Sequence, residues 1–141
     1  MPERYPYKKL NRYPHMKPGD VAIWERFIDK YPEAYSNCSY DYWVGSPPPF
    51  NPIVNDETGG SDDGLYRKKI DVVGYKGDEV DIIEIKPGAE LKALDQVKRY
   101  VTLFVRDERP TKSPQPVLIT DRLRIDMAEF ATKEGVKLII V

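Results

Sequence analysis

The chain has one cysteine, Cys38, and one histidine, His15, among its 141 residues. An internal disulfide needs a second thiol, and a structural zinc site of the Cys/His kind needs several such ligands, so both are excluded. A lone cysteine also fits a reducing compartment. A Ser-His-Asp or Cys-His site would have to use His15, which follows Pro14 in an irregular segment. No glycine-rich loop ends in Gly-Lys-Ser/Thr, which removes NTP hydrolysis of that type. No apolar run approaches the roughly 20 residues of a membrane span. The start of the chain is basic and tyrosine-rich rather than signal-like, so no membrane association is expected.

Carboxylates, lysines and tyrosines are what the chain has in quantity: 23 Asp and Glu, 22 Lys and Arg, and 10 Tyr. Those oxygen donors suit a hard cation such as Mg²⁺. A hydrophobic content of 40% and a charged content of 32% describe a globular chain with a real core. The net charge of −1 supplies no global field for nucleic acid, but its distribution is uneven. Residues 1–19 carry Arg4, Lys8, Lys9, Arg12 and Lys17 against Glu3, interleaved with Tyr5, Tyr7 and Tyr13. Such a segment either grips a phosphate backbone and stacks on bases, or straps its tyrosines onto the domain. Residues 20–141 read as one domain.

Residues 67–86 organise that domain. They form two Val- and Ile-rich runs around Gly77-Asp78, a two-residue turn with glycine first, as in type II′. Lys76 then pairs with Glu79, and counting outward sets Asp71 opposite Glu84, with Cβ atoms roughly 5 Å apart. Lys86 shares their face. Val73, Tyr75, Val80 and Ile82 continue that face, and Ile70, Val72, Ile83 and Ile85 are expected on the other.

The rest of the chain supplies flanking elements. Asp20 is a candidate N-cap for a helix over 21–31, with Ile23, Trp24, Phe27, Ile28 and Tyr31 at helical spacing. A strand follows at 39–44, then a proline-rich stretch at 46–52 and an acidic, glycine-rich loop at 55–64. After the hairpin, the spacing predicts a helix over 89–105 with Leu91, Leu94, Val97, Val101 and Phe104 buried. A strand at 117–120 precedes a last helix starting at Asp121 or at Asp126, where Asp126 and Glu129 resemble a capping box. Met127, Phe130 and Ala131 are its expected inward residues, Gly135 its stop, and 136–141 a final strand. This order predicts an α/β domain with a mixed central sheet flanked by helices.

Ile70-Asp71, then after twelve intervening residues Glu84-Ile85-Lys86 and a helix, resembles the PD-(D/E)XK nuclease superfamily, whose restriction-endonuclease-like core runs αβββαβ. Isoleucine stands where the superfamily's name has proline. Gln96 and Tyr100 are similar to the Gln-x-x-x-Tyr element of RecB-like members. Trp24 to Phe27, with Tyr31-Pro32, loosely resembles transposon end-cleaving endonucleases and phage head-completion nucleases.

The resemblance implies a metal-dependent DNA endonuclease, in phage or mobile-element DNA processing. Asp71, Glu84 and the Ile85 carbonyl would hold Mg²⁺, or Mn²⁺ in its place, with Glu25 as an additional acidic ligand. Lys86 would orient the attacking water and Gln96 would position lysine, water or DNA, while Tyr100 packs or supports the ligands from behind. Lys8, Lys9, Arg12, Arg67, Lys68, Lys69, Lys92 and Arg99 are candidates for phosphate contact. The low net charge suggests recruitment by another protein or a larger complex, and a homodimer is a further option. The expected compartment is the cytoplasm, that of a host or a virion if phage-encoded. The rival reading is a non-catalytic binding or virion-assembly module on the same fold.

Overall fold

The computed structural model describes residues 3–45 and 68–141. Arg67, the proline-rich stretch and the acidic loop lie outside the described residues. The described strands are β1 (Tyr5–Pro6), β2 (Asn37–Val44), β3 (Lys68–Lys76), β4 (Glu79–Ile85), β5 (Gln115–Thr120) and β6 (Lys137–Ile140). They form one sheet in chain order. The first four run antiparallel, and β5 and β6 are added in parallel. The connections between parallel strands are helical: α2 (Leu91–Glu108) before β5 and α3 (Ile125–Glu134) before β6, with α1 (Pro18–Lys30) ahead of β2. The architecture is the expected mixed α/β sheet flanked by helices, consistent with a restriction-endonuclease-like fold. Strand β1 was not anticipated, because two residues are too few to carry an alternation pattern.

The sheet is covered on both faces. On one, Val73, Tyr75, Ile82 and Leu118 pack with Leu94, Val97 and Phe104 of α2 and with Met127 and Ala131 of α3. On the other, Tyr40, Val72, Ile83 and Ile119 pack with Ile23, Trp24, Phe27 and Ile28 of α1. The N-terminal tyrosines join this second core. Tyr5 and Tyr13 meet the Tyr40 ring edge-on, and Tyr7 meets Trp24, Phe27 and Tyr35. The strap is therefore the role of these rings.

Several local expectations give way to tertiary packing. Lys17 is the N-cap of α1, so Asp20 lies in the first helical turn instead. Helix α2 buries Tyr100 and leaves Leu91 at 42% exposure, a stripe rotated from the expected one. Helix α3 begins at Ile125 without a side-chain cap and turns Phe130 outward, although Gly135 ends it in the left-handed conformation. Ile70 packs with the α2 face, not with Val72. Its ladder partner Tyr42 does the same, while the neighbouring pair Tyr40 and Val72 faces α1. Both strands thus change face at Asp41 and Asp71, and Asp41 has a left-handed φ of 52°. Aspartate tolerates that conformation better than most residues.

Glycine is required once inside the sheet. A Cβ on Gly74 would lie 2.6 Å from Tyr35 Cε1, because the tyrosine ring lies directly on this strand position. Gly74→Ala is expected to reduce unfolding free energy by about 1–3 kcal/mol. The check is a shifted urea midpoint at constant m-value, and an unshifted midpoint would show that the ring yields freely.

Candidate active site

The β3–β4 ladder runs from Lys76↔Glu79 to Val72↔Ile83, and the turn carries Gly77 at a φ of 61°. The ladder ends one position short of Asp71 and Glu84. Their carboxyl groups approach closely enough to share a hydrogen bond. Asp71 Oδ2 also accepts the Ile85 backbone N–H at 2.9 Å, which fixes its rotamer. Glu84 is only 7% exposed, and its Oε2 is buried without a hydrogen-bond partner. Burial above all, then the hydrogen bond and charge of Asp71, push the Glu84 carboxyl well above the usual carboxylate range. Asp20 pushes the same way and Lys86 opposes both. Without a cation, such a pair retains a proton near neutral pH.

The edge of β5 holds the segment that follows. The Lys86 N–H donates to the Ile119 carbonyl at 3.0 Å, Gly88 N–H to Asp121 Oδ1 at 2.7 Å, and Ala89 N–H to the buried Thr120 Oγ1 at 3.0 Å. These three bonds fix the exit of β4 and the approach to α2, leaving the Lys86 side chain exposed next to the carboxylates.

Helix α2 brings a second contribution. Gln96 Nε2 donates to Tyr100 Oη at 2.5 Å. Burial first, then the charge of Glu84, pushes the Tyr100 hydroxyl up to about 12, with Asp71 adding to the shift. Tyr100 thus lies beside the pair, and Gln96 is linked to the carboxylates through it. The sequence offers that tyrosine as packing or as support behind the ligands, and helical spacing alone does not say which of Gln96 and Tyr100 stands nearer.

The acidic residue that α1 turns toward the pair is Asp20, not Glu25. Burial, then the charge of Asp71, raises the Asp20 carboxyl, while Lys17 and Lys86 lower it. Glu25 Oε2 instead accepts the Tyr13 hydroxyl at 2.9 Å. Five positions along a helix rotate a side chain by about 140° and advance it about 7.5 Å, enough to separate the two. The only sequence signal at Asp20 was Pro18-Gly19, which reads as a helix start.

Among the described residues, no group of three or more His, Cys, Asp and Glu is close enough to hold a metal by side chains alone. The donors fit a cation through two carboxylates plus backbone or water oxygens, and the orphaned Glu84 Oε2 is the atom it would satisfy. The expected phosphate contacts separate into groups. Lys68, Lys92 and Arg99 line a groove of about 340 Å³ with Gln96 and Tyr100, and Arg99 also bridges Asp95 at 3.0 Å. Lys69 lies near Asp41 at 3.8 Å and over the Trp43 ring at 4.7 Å, away from that groove. Lys9 bridges Asp29 at 2.8 Å, and Lys8 and Arg12 are exposed on the N-terminal strap.

A sequence profile described as the Endonuclease NucS C-terminal domain matches residues 67–141, more than half of the chain. The chain belongs to this family. The NucS match spans Asp71, Glu84, Lys86, Gln96 and Tyr100, but not helix α1. No curated protein matches the sequence. Among solved structures, a repair endonuclease from Pyrococcus abyssi is similar in fold, with a TM-score of 0.52 at 18% identity over 92% of this chain and 49% of that one. An EndoMS–dsDNA complex gives a TM-score of 0.50 at 20% identity over 94% and 49%. A Vibrio cholerae protein gives 0.52 at 17% identity over 86% and 30%. This chain therefore spans about half the length of the two endonucleases.

The raised Glu84 carboxyl has a sign that can be measured. Its proton binds more tightly in the folded state than at the ordinary value of 4.5, so folding stability is complete below that value and declines as pH rises through the folded one. The metal-free protein is expected to lose thermal stability from about pH 5 toward pH 8. Glu84→Gln, which keeps the shape and has no proton to lose, should flatten that decline. A variant that keeps the wild-type slope would place the destabilising group elsewhere.

Proposed function

We propose that this domain is a metal-dependent DNA endonuclease that hydrolyses phosphodiester bonds at a PD-(D/E)XK-type site. One observation carries the reading: a carboxylate pair, Asp71 and the buried Glu84, with an unsatisfied oxygen on Glu84 and Lys86 beside it. Membership of an endonuclease domain family supports it. The solved neighbours, a repair endonuclease and an EndoMS–dsDNA complex, support DNA repair as the setting in preference to phage or mobile-element processing, and double-stranded DNA as the partner.

Asp71 and Glu84 would hold Mg²⁺, or Mn²⁺ as a substitute, with the Ile85 carbonyl as a backbone donor and Asp20 placed to hold a water. When bound, the cation neutralises phosphoryl oxygens and lowers the pKa of a nearby water. Lys86 orients the attacking water and stabilises charge that develops on the phosphate, as a point-charge donor. The water oxygen bonds to phosphorus, the bond to one ester oxygen breaks, and that oxygen leaves with a proton. Gln96 and Tyr100 fix the surroundings of Glu84. Lys68, Lys92 and Arg99 hold the DNA backbone along the groove, so affinity should fall steeply with salt.

Supercoiled plasmid incubated at low salt with Mg²⁺ or Mn²⁺ is expected to be nicked or linearised, and chelation should stop it. Glu84→Ala should abolish cleavage. Lys86→Ala should slow it by about 10²–10³-fold while divalent cations still raise the melting temperature. Undiminished cleavage by Glu84→Ala would overturn the site.

A further inference from the structure

The largest cavity among those described lies at the far end of α1 from the carboxylate pair. It has a volume of about 450 Å³, with Phe27, Tyr31 and Tyr35 as aromatic walls and Glu33, Asp81 and Lys137 as its charged groups. Phe27 and Tyr31 have ring centroids 5.1 Å apart, and Phe27 and Tyr35 6.2 Å. Tyr31 is 40% exposed, and the Lys30 ammonium already lies over its ring at 5.8 Å, which an incoming cation would have to displace or avoid. Asp20 and Tyr31 are separated by roughly 16 Å along the helix axis, so this cavity can be filled without covering the carboxylates.

Asp81 is held in a prepared position. Its Oδ2 accepts the Tyr35 hydroxyl at 2.7 Å. Its cross-strand neighbour is Gly74, whose missing side chain makes the room for the Tyr35 ring. Two residues from separate elements are thus spent on aiming one hydroxyl at one carboxylate. Among the described residues, no lysine or arginine comes within ion-pair distance of Asp81, and Lys137 acts on it only from further away. The Lys76 ammonium is already bound to the Glu33 carbonyl at 2.8 Å. A half-buried carboxylate at the side of an aromatic box has one complementary ligand chemistry, a cation with an apolar stem.

We propose that this cavity is a docking site for a basic side chain, arginine above all, presented by a partner protein. The guanidinium lies against the Tyr31 and Tyr35 rings and donates to the free oxygen of Asp81, and its methylene stem covers Phe27. Glu33 at the rim adds attraction, while Lys137 in the lining and Lys30 and Lys76 beside it oppose it, so selection for a cation rests on Asp81. The proposal does not depend on the nuclease reading, because none of these residues belongs to the carboxylate site.

The test uses the whole chain and three blocked tripeptides, acetyl-Gly-Arg-Gly-amide and its lysine and citrulline counterparts, followed by NMR of the tyrosine rings. The arginine peptide is expected to shift Tyr31 and Tyr35 saturably in the millimolar range, and citrulline, its neutral counterpart, should not. Asp81→Asn keeps an acceptor for Tyr35 and should weaken the arginine peptide by at least about tenfold, with plasmid cleavage unchanged. Lys137→Gln should strengthen binding. Equal shifts with citrulline, or binding indifferent to Asp81→Asn, would overturn the proposal. Loss of binding in Lys137→Gln with retention in Asp81→Asn would also overturn it, since that pattern marks an anion site.

Discussion

Two carboxyl groups facing each other across a pair of strands, one of them buried, are unstable unless something neutralises them. Asp71 and Glu84 stand in that relation, and much of the structure serves to keep them there. The Gly77 turn sets the register of the ladder that leads up to them. The Ile85 N–H holds Asp71, and the end of β5 holds the segment just beyond Glu84 through Ile119, Thr120 and Asp121. In the low dielectric of the sheet their repulsion is large, so a proton or a cation must stay with the pair. In the proposed nuclease that requirement would join fold to function: the burial that costs stability in the metal-free protein is what a bound cation would relieve.

The change of face at Asp41 and Asp71 gives the pair its outlet. Regular alternation would keep Ile70, Val72, Ile83 and Ile85 on one side of a flat ladder. Instead both β2 and β3 turn over at this point, so that Tyr42 and Ile70 join the α2 core while Tyr40 and Val72 remain with α1. The left-handed Asp41 absorbs the backbone change. Asp71 therefore lies at the boundary between the two cores, where groups from both helices can reach it. Asp20 approaches from the first turn of α1 and Tyr100 from the middle of α2. The positive N-terminal end of α1 further favours negative charge there.

Much of this was legible before any coordinates. The hairpin, its turn and the nearness of Asp71 to Glu84 follow from a period of two and a two-residue loop, both short-range rules. Helices α1 and α2 follow from apolar spacing, and the parallel additions β5 and β6 follow from strands that alternate with helices. The illegible parts share a cause. Helical spacing states that one stripe is apolar but not how far the helix is rotated or slid on the sheet, which is why Tyr100 is buried and Leu91 exposed. The same uncertainty separates Asp20 from Glu25. Both are acidic residues in one helix, and only docking against β4 and β5 decides which meets Asp71.

By itself, then, the sequence determined which chemistries were possible and which strand positions would oppose. Composition left carboxylates and lysines as the available groups, and local backbone geometry set their register. Tertiary structure alone decided which further residues attend the pair, which basic residues line a groove with Gln96 and Tyr100, and that Asp81 is held by Tyr35 at a second cavity. The reason is physical. Register depends on neighbours in the chain, whereas burial, charge coupling and cavity shape depend on side chains brought together from distant positions.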